Sequence, residues 1–212
     1  MSNNEIFTLD DGKRLIQFAR ENINNYLKND KKILIPEEFR NKFSENYGAF
    51  VTLNRYNVSG NPLRGCIGYI EPTYPLYDVI HKVSISAAVE DPRFPSVEIE
   101  EMDEIVIEIS ILTPPKLIKV KDSKEYLDKI EIGRDGLIIE KGMRRGLLLP
   151  QVPIEHGRNW DVETFLKHTC NKAWLSDDAW KEENTKVYSF QAIIFEEKTP
   201  NGDVERKYLK AT

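Results

Sequence analysis

Apolar residues recur at helical spacing in three long stretches of the chain. The first runs from Ile16 to Leu27 and follows Thr8, a favourable helix N-cap. The second covers Leu76 to Ala87 and ends before an Asp-Pro pair, because the residue before a proline is pushed out of helical geometry. The third, Val162 to Ala173, follows Asp161, which is another N-cap residue. These stretches predict three long helices, each with one buried face.

Other stretches alternate between apolar and polar residues, or carry aromatic and β-branched residues typical of strands. The predicted strands are residues 47–56, 63–70, 105–112, 137–140, 146–149, 187–197 and 204–209. Most links between strands are hairpin-like, and the helices lie between groups of strands. This order favours an α+β fold with a mainly antiparallel sheet flanked by helices, rather than a doubly wound parallel sheet. Short helices are also predicted at 36–44 and near 123–129.

The length and composition fit one large domain, or a main domain with a second, smaller lobe. The chain has 212 residues, of which 40% are hydrophobic and 31% charged, with a formal net charge of -5. That charge argues against a general affinity for nucleic acid, although a local basic pocket is not excluded. No apolar run approaches the roughly 18 residues that span a bilayer, and the polar, acidic start is unlike a secretory signal. We therefore expect a cytoplasmic protein without membrane segments.

Two cysteines, Cys66 and Cys170, lie far apart in the sequence. In a reducing cytosol both are expected to be free thiols, and a disulfide between them is the alternative. No paired Cys or His-x-x-x-His spacing is present, so no metal site is predicted. The sequence also lacks a P-loop, a Gly-x-Gly-x-x-Gly loop and a Gly-x-Ser-x-Gly elbow, and no cofactor is predicted.

The strongest candidate for a site is the strand segment 63–68, which reads Leu-Arg-Gly-Cys-Ile-Gly. Regular alternation places Arg64, Cys66 and Gly68 on one face, so a guanidinium would lie beside a thiol. A nearby cation favours the thiolate, the form that attacks electrophiles. Gly65 and Gly68 indicate a bulge, a bend or the close approach of a ligand. Alternatively, Cys66 is a small core residue and the glycines only twist a hairpin.

Two further segments carry candidate binding residues. Asp91 and Arg93 lie in a proline-bounded loop, where a fixed arginine suits a carboxylate or phosphate; an ordinary ion pair at the helix end is the alternative. Gln151 follows an apolar strand and could position a polar substrate group or satisfy loop backbone. His156, in a nearby loop, is the candidate acid or base among the histidines. His81 is expected at the boundary of a buried stripe, and His168 on an exposed helix face.

Several motifs together resemble one family. The hexapeptide at 63–68 looks like the signature of the AMMECR family, named for the Alport syndrome, intellectual disability, midface hypoplasia and elliptocytosis chromosomal region. The further matching segments, in family order, are 87–88, 91–94, 108–112, 114–115, 133–137, 146–153 and 170–173. One departure is visible at Trp174, where family members usually have glycine, so packing near that helix end is expected to differ.

The resemblance implies a main antiparallel sheet domain with a smaller lobe, in an archaeal or bacterial member of the family. It implies one AMMECR-type unit over residues 5–197, followed by a C-terminal hairpin strand and tail at 198–212. It also makes the hexapeptide a functional surface and suggests a pathway shared with radical-SAM and Memo-type proteins. It supplies no reaction, and whether the chain is an enzyme stays open.

Three functions are compatible with these observations. The first is an enzyme or enzyme partner acting on an anionic small substrate in a Cys/Arg cleft. Its candidate residues are Cys66 as nucleophile or redox thiol, His156 as acid or base, and Arg64, Gly65, Gly68, Asp91, Arg93 and Gln151 for binding. The second is a non-catalytic binding module for a nucleotide, an RNA or a protein partner. The third is a scaffold in which the hexapeptide only supports folding, so that Arg64 would matter for stability alone.

Overall fold

A computed structural model describes residues 6–154 and 158–208 of the chain. These residues form two units. The first unit consists of two segments, the chain up to Leu112 and Ile193–Lys207. Residues 113–192 make up the body of the second, smaller unit. The predicted division at residues 5–197 and 198–212 stays a prediction.

The helices of the first unit begin and end close to where the sequence predicts. They are α1 (Leu9–Asn29), α2 (Glu37–Lys42) and α3 (Leu76–Val89), with a 3-10 turn at Ile99–Asp103. The side chains of Thr8 and Asp11 cap α1 reciprocally, because each accepts a backbone N–H of the other. The prediction of Thr8 as the N-cap is therefore confirmed.

The first three strands of the first unit form an antiparallel sheet in the order β2-β1-β3, and the end of β7 adjoins it. β1 (Gly48–Arg55) pairs with both β2 (Leu63–Tyr69) and β3 (Ile105–Leu112). β3 neighbours β7 (Lys186–Glu197), and β7 pairs with β8 (Val204–Lys207). Alternate residues of β1 and β3 join α1 and α3 in one core, including Val51, Leu53, Ile107 and Ile109. Thr52 and Glu108 lie on the other face of this sheet, since side chains alternate along a strand.

A buried ion pair joins α1 to the end of β7. Arg20 Nε donates to Glu197 Oε1 at 2.8 Å, and its Nη2 donates to Glu197 Oε2 at 2.5 Å. The guanidinium also donates to the carbonyls of Met102 and Ile105. Glu197 in turn accepts the backbone N–H of Ile107 at 2.8 Å. Every side-chain nitrogen and oxygen of this buried ion pair thus makes a hydrogen bond. A buried pair needs these bonds to offset the cost of removing two charges from water.

The described residues of the second unit form a small sheet and two helices. Its strands are β4 (Lys116–Leu117), β5 (Asp135–Lys141), β6 (Arg144–Leu148) and the first residues of β7. β5 pairs antiparallel with β6 and with β7. The helices are α4 (Glu125–Lys129) and α5 (Val162–Lys172), with a 3-10 turn at Ala179–Lys181. The core gathers Leu137, Ile139, Phe165, Leu166 and Cys170, among others.

Trp174 lies just beyond α5 in the left-handed conformation, with φ 57°. The N–H of Leu175 reaches back to the carbonyl of Cys170, and Arg144 Nη1 donates to the Trp174 carbonyl at 2.7 Å. This is the turn that usually holds glycine, since a larger residue is strained there. The indole is 86% exposed. Trp174 therefore keeps the glycine-type turn and places its bulk outside the unit.

The α+β fold with a mainly antiparallel sheet is confirmed by these pairings. β4 and the two 3-10 turns were not predicted, because segments this short have no measurable periodicity. Across residues 6–154 and 158–208, no helix is both long enough and apolar enough to pass through a bilayer. His168 is exposed and stacks on Trp160, while His81 lies half-buried beside the Ile33 carbonyl, as expected.

Candidate functional site

The hexapeptide strand β2 contains a bulge at Arg64. Gly65 lies opposite Leu53 in β1 and Leu63 lies opposite Asn54, so Arg64 has no partner residue between them. A bulge interrupts the alternation of side chains along a strand. The expectation that Arg64 shares a face with Cys66 and Gly68 rested on regular alternation, and regular alternation fails at this residue. Cys66 and Gly68 remain in regular pairing, opposite Thr52 and Phe50 of β1.

The Arg64 guanidinium donates four hydrogen bonds to groups of the protein. Nε and Nη2 donate to the two carboxylate oxygens of Glu101, each at 2.8 Å. Nη1 donates to the Pro95 carbonyl at 2.8 Å and Nη2 to the Ser96 carbonyl at 3.1 Å. These bonds from Arg64 hold the pKa of Glu101 below its usual range. The Arg64 side chain is 2% exposed, which argues against the predicted contact with a substrate.

The two glycines of β2 are explained by groups of the protein itself. A Cβ at Gly65 would overlap the carbonyl oxygen of Ala87 in α3. A Cβ at Gly68 would overlap the Phe50 ring and the carbonyl oxygen of Ala49. The sequence predicted a bulge, a bend or the close approach of a ligand at these positions. The structure shows the bulge and an approach by a helix backbone.

Asp91 connects the hexapeptide to Arg93. Its Oδ2 accepts the backbone N–H of Cys66 at 2.8 Å and Arg93 Nη2 at 2.6 Å, and its Oδ1 accepts Arg93 Nε at 2.9 Å. Arg93 Nη2 also lies 3.3 Å from the Cys66 carbonyl oxygen. These bonds, above all those from Arg93, lower the pKa of Asp91 far below its ordinary value, despite burial. The buried carboxylate therefore fixes a guanidinium next to Cys66.

The Cys66 thiol is half-buried and contacts Thr52 Oγ1 at 3.3 Å. Burial raises the thiol pKa, and the charges of Glu108 and Asp91 raise it further, while the Thr52 hydrogen bond and the Arg93 charge lower it. The net direction is upward, so the thiol is protonated at neutral pH. The cation that acts on it is Arg93. A thiolate preformed by Arg64, as the strand pattern suggested, is not supported.

The polar face of this sheet contributes residues that the sequence analysis did not single out. Thr52 lies between Cys66 in β2 and Glu108 in β3, its two cross-strand partners. Lys207 Nζ donates to both Glu108 and Glu196 at 2.9 Å. Burial raises the pKa of Glu108, and Lys207 opposes that rise. The available signal was Glu108 with Ser110, two polar residues at alternate positions of the otherwise apolar strand β3.

Two of the predicted site residues, Gln151 and His156, are not among those that the first unit places near Cys66. Gln151 is in the second unit, half-buried, and its Oε1 has no hydrogen-bond partner in the described ranges. His156 lies outside the described residues. The gathering of Gln151 and His156 with Cys66 in one cleft stays a prediction. Among residues 6–154 and 158–208, no three His, Cys, Asp or Glu side chains are arranged to hold a metal ion.

The fold and site define an α+β protein in which a bulged strand places the Cys66 thiol near Arg93, an arginine that Asp91 holds in position. A family model, AMMECR1, matches residues 16–195. Protein MJ0810 from Methanocaldococcus jannaschii is 54% identical over 204 residues, covering 96% of this chain and 98% of the relative. Protein PH0010 from Pyrococcus horikoshii is 53% identical over 199 residues, covering 93% and 95%.

A solved structure agrees with these matches. The crystal structure of the uncharacterized protein PH0010 superposes with a TM-score of 0.81 at 53% identity and covers 93% of this chain and 97% of that one. The chain belongs to the AMMECR1 family. The resemblance seen in the hexapeptide and the motifs after it is thereby confirmed.

Proposed function

We propose that the chain is an enzyme or enzyme partner that binds a small anionic substrate at Arg93, against the Cys66 thiol. The observation that carries this proposal is the Asp91 carboxylate, which bonds both the Cys66 backbone and the Arg93 guanidinium. An arginine held in this way loses little freedom when an anion binds, so it is preorganised for that purpose.

Arg93 retains the capacity to bind a ligand. Asp91 takes up Nε and Nη2, yet the Arg93 side chain is 52% exposed. The guanidinium also lies over the Phe94 ring, with 5.5 Å from its central carbon to the ring centroid. A planar, half-exposed guanidinium suits a carboxylate or phosphate group. Arg64, by contrast, belongs to the support of the strand.

In this proposal a protonated thiol needs a base before it can attack a substrate. Glu108 is a candidate for that base, because burial raises its pKa and its charge acts on the thiol. As the bond between Cys66 Sγ and an electrophilic carbon of the substrate forms, the bond from that carbon to the leaving group would break, and the leaving group would take its electron pair. The thiol proton would pass to the Glu108 carboxylate by way of the Thr52 hydroxyl, since Thr52 lies between the two residues. Thr52, which contacts Sγ, would orient the thiol.

We expect Cys66 to react preferentially with an anionic alkylating reagent. The ratio of the iodoacetate rate to the iodoacetamide rate should exceed that of an unstructured cysteine peptide, because Arg93 attracts the carboxylate. Arg93→Gln should lower this ratio about three- to tenfold, as expected for one partly solvated charge a few ångströms away. Mass spectrometry of the Cys66 peptide in the folded protein measures both rates.

Two variants serve as controls. Arg93→Lys keeps the charge and should retain most of the preference. Arg134 is held by the buried Asp135 through the same Nε and Nη2 contacts, so Arg134→Gln removes a matched guanidinium in the second unit. It should leave the ratio unchanged. A Cys66 that resists both reagents in the folded protein, or a ratio indifferent to Arg93→Gln, would end the proposal.

A non-catalytic binding module is favoured by one separate observation. Tyr69 and Tyr74 are exposed with ring centroids 5.9 Å apart, and Lys82 Nζ lies 4.7 Å from the Tyr74 ring centroid. Exposed aromatic rings with a cation are typical of surfaces that stack bases. A salt titration with tRNA separates the candidates, since the absence of binding at low salt removes the nucleic-acid version.

The cellular setting is part of the same proposal. The cytoplasm, the reduced state of both thiols, and a pathway shared with radical-SAM and Memo-type proteins are supported by the sequence and the family resemblance. We therefore expect its small-molecule or protein partner to be present in the cytoplasm.

A further inference from the structure

The second unit contains a cavity that is separate from the Cys66 region. Its volume is about 580 Å³, and segments 117–123 and 181–186 line it. Cavities of roughly 300–1,000 Å³ accommodate small organic ligands. Tyr126, Trp180 and Thr185 are its buried lining residues. The Tyr126 and Trp180 rings meet edge to face, with centroids 6.3 Å apart, so this part of the wall is aromatic and rigid.

Two buried polar groups in this wall lack a partner. Trp180 is 2% exposed and Thr185 is 6% exposed. Neither Trp180 Nε1 nor Thr185 Oγ1 has a hydrogen-bond partner in the described part of the chain. Buried polar groups are almost always bonded, so each exception calls for an explanation. The indole N–H can only donate, and it requires an acceptor such as an oxygen.

The charges around the cavity leave two lysines unpaired. Lys119 and Lys121 form no ion pair within the described ranges. The other charged lining residues are mostly bound: Lys181 to Asp178 at 2.7 Å, Lys186 to Glu140 at 4.0 Å, Glu182 to Lys141 at 2.7 Å, and Asp122 to the backbone N–H of Lys124. Glu183 is the remaining acidic lining residue. Over all the charged lining residues, four lysines stand against three carboxylates, so the net formal charge of the lining is positive by one.

We infer that this cavity binds a small molecule carrying an oxyanion group, a phosphate or a carboxylate. Its oxygens would accept from Trp180 Nε1 and Thr185 Oγ1, and Lys119 and Lys121 would balance its charge. Donors and cations that line one cavity select a ligand rich in acceptors and negative in charge. This inference does not depend on the role of Cys66, because all the residues involved belong to the second unit.

Nuclear magnetic resonance of the full chain labelled with ¹⁵N tests the inference. The chain has three tryptophans, so it gives three indole N–H signals, which Trp→Phe variants assign. Pyrophosphate and citrate, the two probes, distinguish a phosphate from a carboxylate ligand. The Trp180 signal should shift saturably with at least one probe, while the exposed Trp174 should not respond. A Trp180 signal that stays fixed with both probes at millimolar concentration overturns the inference.

Lysine variants establish whether charge selects the ligand. Lys119→Gln and Lys121→Gln should each weaken binding about two- to fivefold, as expected for loss of an exposed charge contact. Lys172→Gln is the control, since it removes an exposed lysine of the same unit that does not line the cavity. Equal affinity in the Lys119/Lys121 double variant and the parent would contradict the inference.

Thr185→Val separates a ligand role from a structural one. Valine preserves the shape and removes a hydroxyl that has no partner among the described residues, so stability should be unchanged or higher. Probe binding should weaken at the same time. A Thr185→Val protein that loses stability and keeps its affinity would show that the hydroxyl serves the fold.

Discussion

Replacing Arg64 by alanine should lower the free energy of unfolding by about 3 kcal/mol or more. The change leaves the Pro95 and Ser96 carbonyls without their donors and removes both bonds to the Glu101 carboxylate. It also empties a buried position, since the side chain is 2% exposed. Urea denaturation monitored by circular dichroism measures the loss.

Arg55 supplies a matched control. Its guanidinium reaches the same carboxylate, with Nη2 4.0 Å from Glu101 Oε2, but its side chain is 52% exposed. Arg55→Ala should therefore cost less than about 1 kcal/mol, as for a solvated pair. If Arg64→Ala proved as mild as Arg55→Ala, the structural role would be rejected. The iodoacetate preference of Cys66 should survive in any folded Arg64 variant, because Arg93 provides the charge.

Gly65→Ala is expected to be comparably damaging, with a loss of about 3 kcal/mol or more. The new methyl group would overlap the carbonyl oxygen of Ala87 in the backbone of α3. A flexible side chain could move away, but a helix carbonyl cannot move without shifting the helix. α3 and β2 would have to separate, which would expose part of the first core to water. Thermal and urea unfolding both report this loss.

Gly142→Ala tests the same substitution in open space. Gly142 has φ 59°, and nothing lies within 4 Å of an added Cβ. Only the left-handed conformation is strained, at about 1 kcal/mol. A Gly65→Ala protein no less stable than Gly142→Ala would show that α3 and β2 are not in tight contact. If the Gly65→Ala protein stays folded, its iodoacetate and iodoacetamide rates would also show whether the reactivity of Cys66 requires this packing.

The sequence predicts the elements well where one physical signal dominates. Thr8 and Asp161 are N-caps because their oxygens accept amides at a helix start, and the four isoleucines of β3 alternate because one face is buried. These are local effects. The antiparallel α+β class follows from the order of such elements.

The candidate site was predicted less completely, because its geometry depends on contacts between distant segments. The glycines of β2 indicated a bulge as one of several possibilities, but they did not place it at Arg64. Nothing within the strand indicates that the partner of Arg64 is Glu101, 37 positions away. The pairing of Asp91 with Arg93, one of the alternatives that the sequence offered, is present, since only Pro92 separates the two residues. Glu108 becomes a neighbour of Cys66 only through Thr52, across two strand pairings. Such proximity is set by the pairing register between strands, and the residue pattern of a single strand does not reveal that register.

The division of β7 between the two units has a consequence for synthesis on the ribosome. The first unit needs Ile193–Lys207, yet these residues are translated after the whole body of the second unit. Until then β3 lacks its β7 neighbour, and Arg20 has no Glu197 to neutralise it. The nascent amino-terminal segment therefore carries an open sheet edge and an uncompensated buried cation. Its folding is expected to finish late, after residue 207 has left the exit tunnel.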